Sequence, residues 1–216
     1  MHKKPKKYSV FSLIKNSFTY HENWQRAWRD PEPKKEYDAI IIGGGGHGLA
    51  TAYYLAKKHK MTNIAVVEKG WIGGGNTGRN TTIIRSNYML HENEAFYEFS
   101  LKLWEKIEQQ INYNAMVSQR GVLNLFHSDS QRDAFIRRGN SMIINGADAE
   151  LYNVDQIKSI YPFLDFNNAR FPIKGGLFQQ RGGTVRHDAV AWGYAHAADK
   201  LGVDIIQNCE VNGFKV

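Results

Sequence analysis

Apolar and polar positions change period repeatedly along this chain, and each change marks an element. Ala39-Ile40-Ile41-Ile42 is a short unbroken apolar run, as expected of a strand buried on both faces of a parallel sheet. Glycines follow at once, and Leu49–Lys58 then reads as a helix. A second apolar run, Ile64–Val67, ends at Glu68 and completes a strand–helix–strand unit. Further on, Glu94–Asn112 has helical spacing, Val122–Phe126 reads as a strand and Ser130–Asn145 as another helix. Glycine pairs at 175–176 and 182–183 mark turns beside strands. Asp188–Leu201 predicts a helix, Val203–Ile206 a strand, and Cys209–Val211 the start of another. The fold class is α/β, and the chain stops at Val216 in what reads as mid-sheet.

Residues 1–36 lack this regularity and end in Arg29-Asp30-Pro31-Glu32-Pro33-Lys34-Lys35, an extended linker. Trp24 and Trp28 are large apolar side chains in this arm and are expected to dock on a folded surface or a partner. Lysine and arginine outnumber acids 28 to 21, and Lys3, Lys4, Lys6, Lys7 and Lys15 all precede the first acid, Glu22. The basic start is not a secretion signal, because Val10–Ile14 is too short an apolar stretch. No zinc-finger, helix-turn-helix or aromatic RNA-binding pattern accompanies the charge, so neither nucleic acid nor membrane is expected as a partner. The only cysteine, Cys209, excludes an intrachain disulfide and a cysteine-based metal site. A soluble, cytoplasmic chain without a metal is the expectation.

The sharpest chemical signal is G-x-G-x-x-G at Gly43, Gly45 and Gly48, set between strand and helix. The three glycines allow a tight turn, close backbone approach to a pyrophosphate, and close packing of helix on strand. The helix N-terminus offers free N–H groups to the anion. Glu68 ends the second strand twenty residues after Gly48, where an acid accepts from a ribose hydroxyl and disfavours a 2′-phosphate. The fingerprint alone does not choose NAD over FAD. A second glycine-rich stretch, Lys69–Asn80, then reads either as a surface loop or as a loop brought back over the cofactor. In the second case Asn76, Arg79 and Asn80 can bond phosphate or a flavin edge.

Gly43–Ala52, Val67–Gly70, Asn80–Tyr88, Ser118–Leu125, Arg186–Trp192 and Val203–Val211 together resemble the β subunits of heterotetrameric sarcosine oxidases, from about Trp24 to the end. The resemblance implies an FAD-dependent fold of the D-amino-acid-oxidase type, with a Rossmann-like FAD-binding domain over residues 37–216 interleaved with the start of an antiparallel-sheet substrate domain. It also implies that this chain is roughly the first half of such a subunit, behind an arm at 1–36. The implied activity is oxidative demethylation of sarcosine to glycine, with electrons passing from noncovalent FAD to a covalent FMN and on to oxygen as hydrogen peroxide. Tetrahydrofolate takes the one-carbon unit, and α, γ and δ subunits complete the assembly. FAD contacts carry over to Gly43, Gly45, Gly46, His47, Gly48, Glu68, Asn76, Thr77, Arg79, Asn80, Thr81, Ile83 and the backbone of Val211. FMN carries over to His187 as the attachment site, with Arg186 where some relatives have lysine. Arg85 carries over as the group facing the substrate carboxylate. Read plainly, His187 is a structural histidine at a helix start, and Arg85 is either a carboxylate-binding group or a buried arginine paired with an acid or holding its loop. An amine dehydrogenase of the dimethylglycine type and a flavin-binding assembly subunit without turnover are the other readings.

Overall fold

Ser9 opens the first helix of the computed structural model, which describes residues 9–20, 22, 27–88 and 90–215. In this helix, α1 (Val10–Phe18), the Ser9 hydroxyl accepts from the Ser12 amide at 3.1 Å. The sequence predicted no element here. The helix is short, none of its side chains is buried, and its cap defines it. The expectations on Lys3, Lys4, Lys6, Lys7 and Trp24 lie outside the described residues. Trp28 packs against the core as expected, and Arg29 holds the linker down through Asp199 Oδ1 (2.8 Å) and the Val203 carbonyl (2.9 Å).

β1 (Ala39–Ile42), α2 (Gly46–His59) and β2 (Ile64–Val67) form the expected strand–helix–strand unit, with β1 and β2 parallel from Ala39↔Ile64 to Ile42↔Val67. β2 is buried throughout, but β1 is not. Ile40 and Ile42 are 60% and 55% exposed, whereas Ala39 and Ile41 pack on the core. The core and α2 cover the face of β1 that carries Ala39 and Ile41 and leave the face of Ile40 and Ile42 open, so the expected burial on both faces is corrected to one.

A turn of 3-10 helix at Asn76–Arg79 leads to β3 (Ile83–Ile84), then to α3 (His91–Trp104) and α4 (Ile107–Ile111). The single helix expected over Glu94–Asn112 is therefore two. The break at Glu105 and Lys106 lets Ile107 and Ile111 turn into the core while Glu105 reaches Arg181 at 2.9 Å. β4 (Val122–Phe126), α5 (Asp129–Ile144), β5 (Glu150–Tyr152), α6 (Val154–Ile160) and β6 (Gly175–Gln179) make a second layer. β6 lies between β4 and β5, antiparallel to both, and α5 packs over it. β7 (Gly183–Thr184) pairs antiparallel with β3.

α7 (His187–Lys200) and β8 (Asp204–Ile206) return to the parallel sheet, whose order is β1-β2-β8. α2 and α7 pack against each other through small residues, with Ala52, Ala191, Ala195 and Ala198 all buried. The strand expected at Cys209–Val211 does not form. Asn208 turns to φ 55°, and the Asn208 and Cys209 amides donate to the Gly70 and Glu68 carbonyls at 3.0 and 2.9 Å. Those bonds carry the chain across the end of β2 instead of along it. Among the described residues no helix is long and apolar enough to cross a membrane.

Leu49 sits at the centre of this packing with no exposed surface, while Leu90 is 62% exposed. Leu49→Ala is expected to lower stability by about 2–5 kcal/mol, and Leu90→Ala by no more than about 0.5 kcal/mol, in urea denaturation.

Candidate functional site

The turn from β1 into α2 is built on distances that leave no room for a side chain. A Cβ on Gly48 would lie 2.0 Å from the Gly43 carbonyl oxygen, so the helix starts hard against the end of the strand. Gly43 itself takes φ +108°, where side chains are strained. At Gly45 a Cβ would meet Thr77 Oγ1 at 3.0 Å. The first turn of α2 contains no acid, and no side chain of the N-cap residue Gly45 covers the positive end of its dipole. The Gly46 amide donates to Thr77 Oγ1 at 3.0 Å, and the His47 ring is exposed beside it.

Glu68 leaves β2 directly below. Its carboxylate accepts from the Gly44 amide at 2.7 Å and the Gly70 amide at 2.9 Å, tying the two glycine-rich loops together. Gly73 adds a bond from its amide to the Gly44 carbonyl at 2.9 Å. The second loop is thus folded back over the first. Within it Asn76, Arg79, Asn80 and Thr81 are exposed, and Asn80 bonds back to the Thr77 carbonyl at 2.6 Å. Val211 lies past the Cys209–Glu68 contact, 37% exposed.

A cavity of about 410 Å³ opens beside these loops. Gly46, His47, Thr77, Asn80, Ile83 and His187 are among the residues lining it, with Thr81 at its rim and Tyr54 and Tyr194 on one wall. Burial first, and then the Tyr54 hydroxyl, drives the Tyr194 phenol far above its ordinary pKa. His187 begins α7, and its Nδ1 is buried without a partner among the described residues. Arg186 faces elsewhere. Its guanidinium grips Asp188, with Nε to Oδ1 at 2.9 Å, and holds that carboxyl down at about 2.

Arg85 stands apart from the cavity lining, in the extended stretch between β3 and α3. Among the described residues no acid pairs with it; its Nη1 donates to Asn87 Oδ1 at 2.8 Å, and its guanidinium lies 5.4 Å from the Tyr88 ring centroid. The next residue is clamped hard. Buried Ser86 donates its amide to Gln179 Oε1 (3.1 Å) and its hydroxyl to Glu98 Oε2 (3.0 Å), and it accepts from Gln179 Nε2 (2.7 Å). Arg181 closes the network on Glu98 at 2.6 Å and on Glu105, whose carboxyl it holds below the usual range. Sequence reasoning missed Ser86, Asn87, Glu98, Gln179 and Arg181. The only signal for the first two was their position beside Arg85.

Tight glycine turn, free helix amides and an acid at the end of the next strand are suited to a diphosphate and its ribose. Residues 38–216 match the family model described as FAD dependent oxidoreductase. The chain belongs to the FAD dependent oxidoreductase family. It is 66% identical over 209 residues to sarcosine oxidase subunit beta of Rhizobium meliloti (strain 1021), covering 97% of this chain and 50% of that one. It is 54% identical over 188 residues to sarcosine oxidase subunit beta of Arthrobacter sp, covering 87% and 46%. Among solved structures, L-proline dehydrogenase from P. horikoshii superposes with a TM-score of 0.77 at 26% identity, over 85% of this chain and 47% of that one. The oxidoreductase chain spans about half the length of these relatives.

Gly48→Ala in the full-length oxidoreductase is expected to cut bound FAD by at least about tenfold, because the added methyl pushes α2 off β1. Gly213→Ala, with nothing within 4 Å of its Cβ, is expected to leave flavin content unchanged. Flavin absorbance per protein in the purified subunits checks both.

Proposed function

We propose that the full-length protein is the β subunit of a sarcosine oxidase, and that residues 37–216 contribute its FAD-binding portion behind an arm at 1–36. The observation that carries this reading is the 66% identity to sarcosine oxidase subunit beta across nearly the whole chain. The turn Gly43–Gly48 would cradle the FAD diphosphate, with Gly45, Gly46 and His47 presenting backbone amides. Glu68 would exchange its bonds to Gly44 and Gly70 for a ribose hydroxyl. Asn76, Thr77, Arg79, Asn80, Thr81 and Ile83 would cover the cofactor from the second loop, and the Val211 backbone would meet the adenine.

Two observations support His187 as the residue that would hold FMN covalently: it lines the cavity, and its Nδ1 is buried with no hydrogen-bond partner among the described residues. Arg186 keeps a positive charge at that helix start but cannot serve as a base. Arg85, free of any acidic partner among the described residues, would bind the sarcosine carboxylate and orient the N-methyl group. When bound, FAD supplies the oxidation of the C–H bond beside nitrogen and FMN passes the electrons to oxygen as hydrogen peroxide, while tetrahydrofolate takes the one-carbon unit. The same reading assigns α, γ and δ partner subunits and a cytoplasmic location.

Acid precipitation and digestion of the subunit co-expressed with its partners is expected to yield a His187 peptide carrying the added mass of FMN. Anaerobic sarcosine is expected to bleach the flavin absorbance of the same complex. A bare His187 peptide with only extractable FAD would return that histidine to a structural role. Flavin left unbleached by sarcosine would remove the sarcosine assignment.

A further inference from the structure

Asn87 is 3% exposed, and its side-chain amide is in an unusual position. Its Oδ1 accepts from Arg85 Nη1 at 2.8 Å. A guanidinium only donates, so the amide oxygen must face it, and a flipped amide would set N–H against N–H. The orientation leaves Nδ2 with two hydrogens and, among the described residues, no acceptor for either. Burying an amide donor unpaired is costly, and of the side chains in that condition among the described residues, those of Asn87, Glu94, Asn124 and His187, only that of Asn87 bonds a guanidinium.

The surroundings of Asn87 say what would pair with that amide. The guanidinium it touches has no other hydrogen-bond partner among the described residues and no acid beside it. Tyr88 backs the guanidinium with its ring and is itself stacked on Tyr97 at 3.8 Å between centroids. Burial first, and then Tyr97, pushes the Tyr88 phenol up, so Tyr88 brings no negative charge to the place. Ser86 pins the backbone between Arg85 and Asn87 to Gln179 and Glu98. A cation and a neutral double donor are therefore held side by side on a rigid strip, all donors and no acceptor. That set matches a group with two acceptor oxygens and a negative charge.

We propose that Asn87 is a second carboxylate-recognition residue, its Nδ2 donating to the same substrate carboxylate that Arg85 binds. The inference rests on the assignment of Arg85 to the substrate carboxylate. It adds a role that charge alone does not give: an amide donor fixed beside the guanidinium selects an anion with two oxygens over a neutral acyl group.

The test uses the full-length subunit assembled with its partner subunits, with sarcosine and its neutral amide, N-methylglycinamide, as the probes. Asn87→Ala is expected to raise the sarcosine KM by about tenfold or more with kcat within about threefold, the loss of one hydrogen bond to a charged group. Asn87→Asp is expected to raise it further, by about a hundredfold, because the new carboxylate neutralises Arg85 and repels the substrate. In both variants the preference for sarcosine over its amide, as a ratio of kcat/KM, is expected to fall by about tenfold or more. A purely structural asparagine would lower both substrates alike and leave that ratio unmoved, which overturns the proposal. So does loss of folding in Asn87→Ala and Asn87→Asp together, since the amide then belongs to the protein's own packing. Arg85→Met separates the two claims. If it raises the KM while the Asn87 variants keep the parental ratio, only the role of Asn87 falls; if it leaves the KM unchanged, the assignment of Arg85 falls with it.

Discussion

The contact between Gly48 and the Gly43 carbonyl oxygen governs the rest of this structure. Only a residue without a Cβ lets α2 begin so close to the end of β1. That approach sets the helix N-terminus, with its partial positive charge, at the carboxyl edge of the parallel sheet. Glu68 arrives at the same edge because β1 and β2 pair in register from Ala39↔Ile64 to Ile42↔Val67. The second glycine-rich loop then closes on this turn through Gly73, Thr77 and the two amides on Glu68. A displacement of α2 by even the radius of a methyl group would disturb the Gly46–Thr77 bond that ties the helix start to the second loop.

A second constraint joins the parallel sheet's domain to the antiparallel layer. Gln179, at the end of β6, reaches across to Ser86, and Ser86 reaches on to Glu98 on α3. Arg181 bridges Glu98 and Glu105, so helix, sheet and the Arg85–Tyr88 strip share one charged and hydrogen-bonded network. Ser86, Glu98 and Gln179 at its centre are buried, which makes their bonds stronger and a missing partner there more costly than at the surface, while Arg181 and Glu105 close it at the edge. Among the described residues four buried side-chain atoms lack a hydrogen-bond partner, Asn87 Nδ2, Glu94 Oε1, Asn124 Nδ2 and His187 Nδ1, and of these side chains only that of Asn87 bonds a guanidinium.

Legibility in the sequence followed the range of the interactions. β1, α2, β2, β4, α5 and α7 were readable because each carries its period, its glycines or its cap within a few residues. The capping box of Asn153 and Gln156 on α6 is an equally local signal. Exposure of Ile40 and Ile42 was not readable, since an apolar run looks the same whether one face or both are covered. Nor could the pattern show that Cys209–Val211 would be diverted by the Gly70 and Glu68 carbonyls, because those partners lie well over a hundred residues earlier. The glycine turn and Glu68 were local enough to name. The setting of Arg85, by contrast, depends on Gln179 and Arg181, which only the fold brings near.

The proposed function puts a dinucleotide on the β1–α2 turn with its ribose at Glu68. The most direct measurement is an experimental structure of the full-length subunit with FAD bound. The account predicts the diphosphate against the amides of Gly45 to Gly48, and a ribose hydroxyl on Glu68 in place of at least one of its present bonds to Gly44 and Gly70. A diphosphate seated on another loop, with Glu68 still bonded to both amides and facing no sugar, would contradict it.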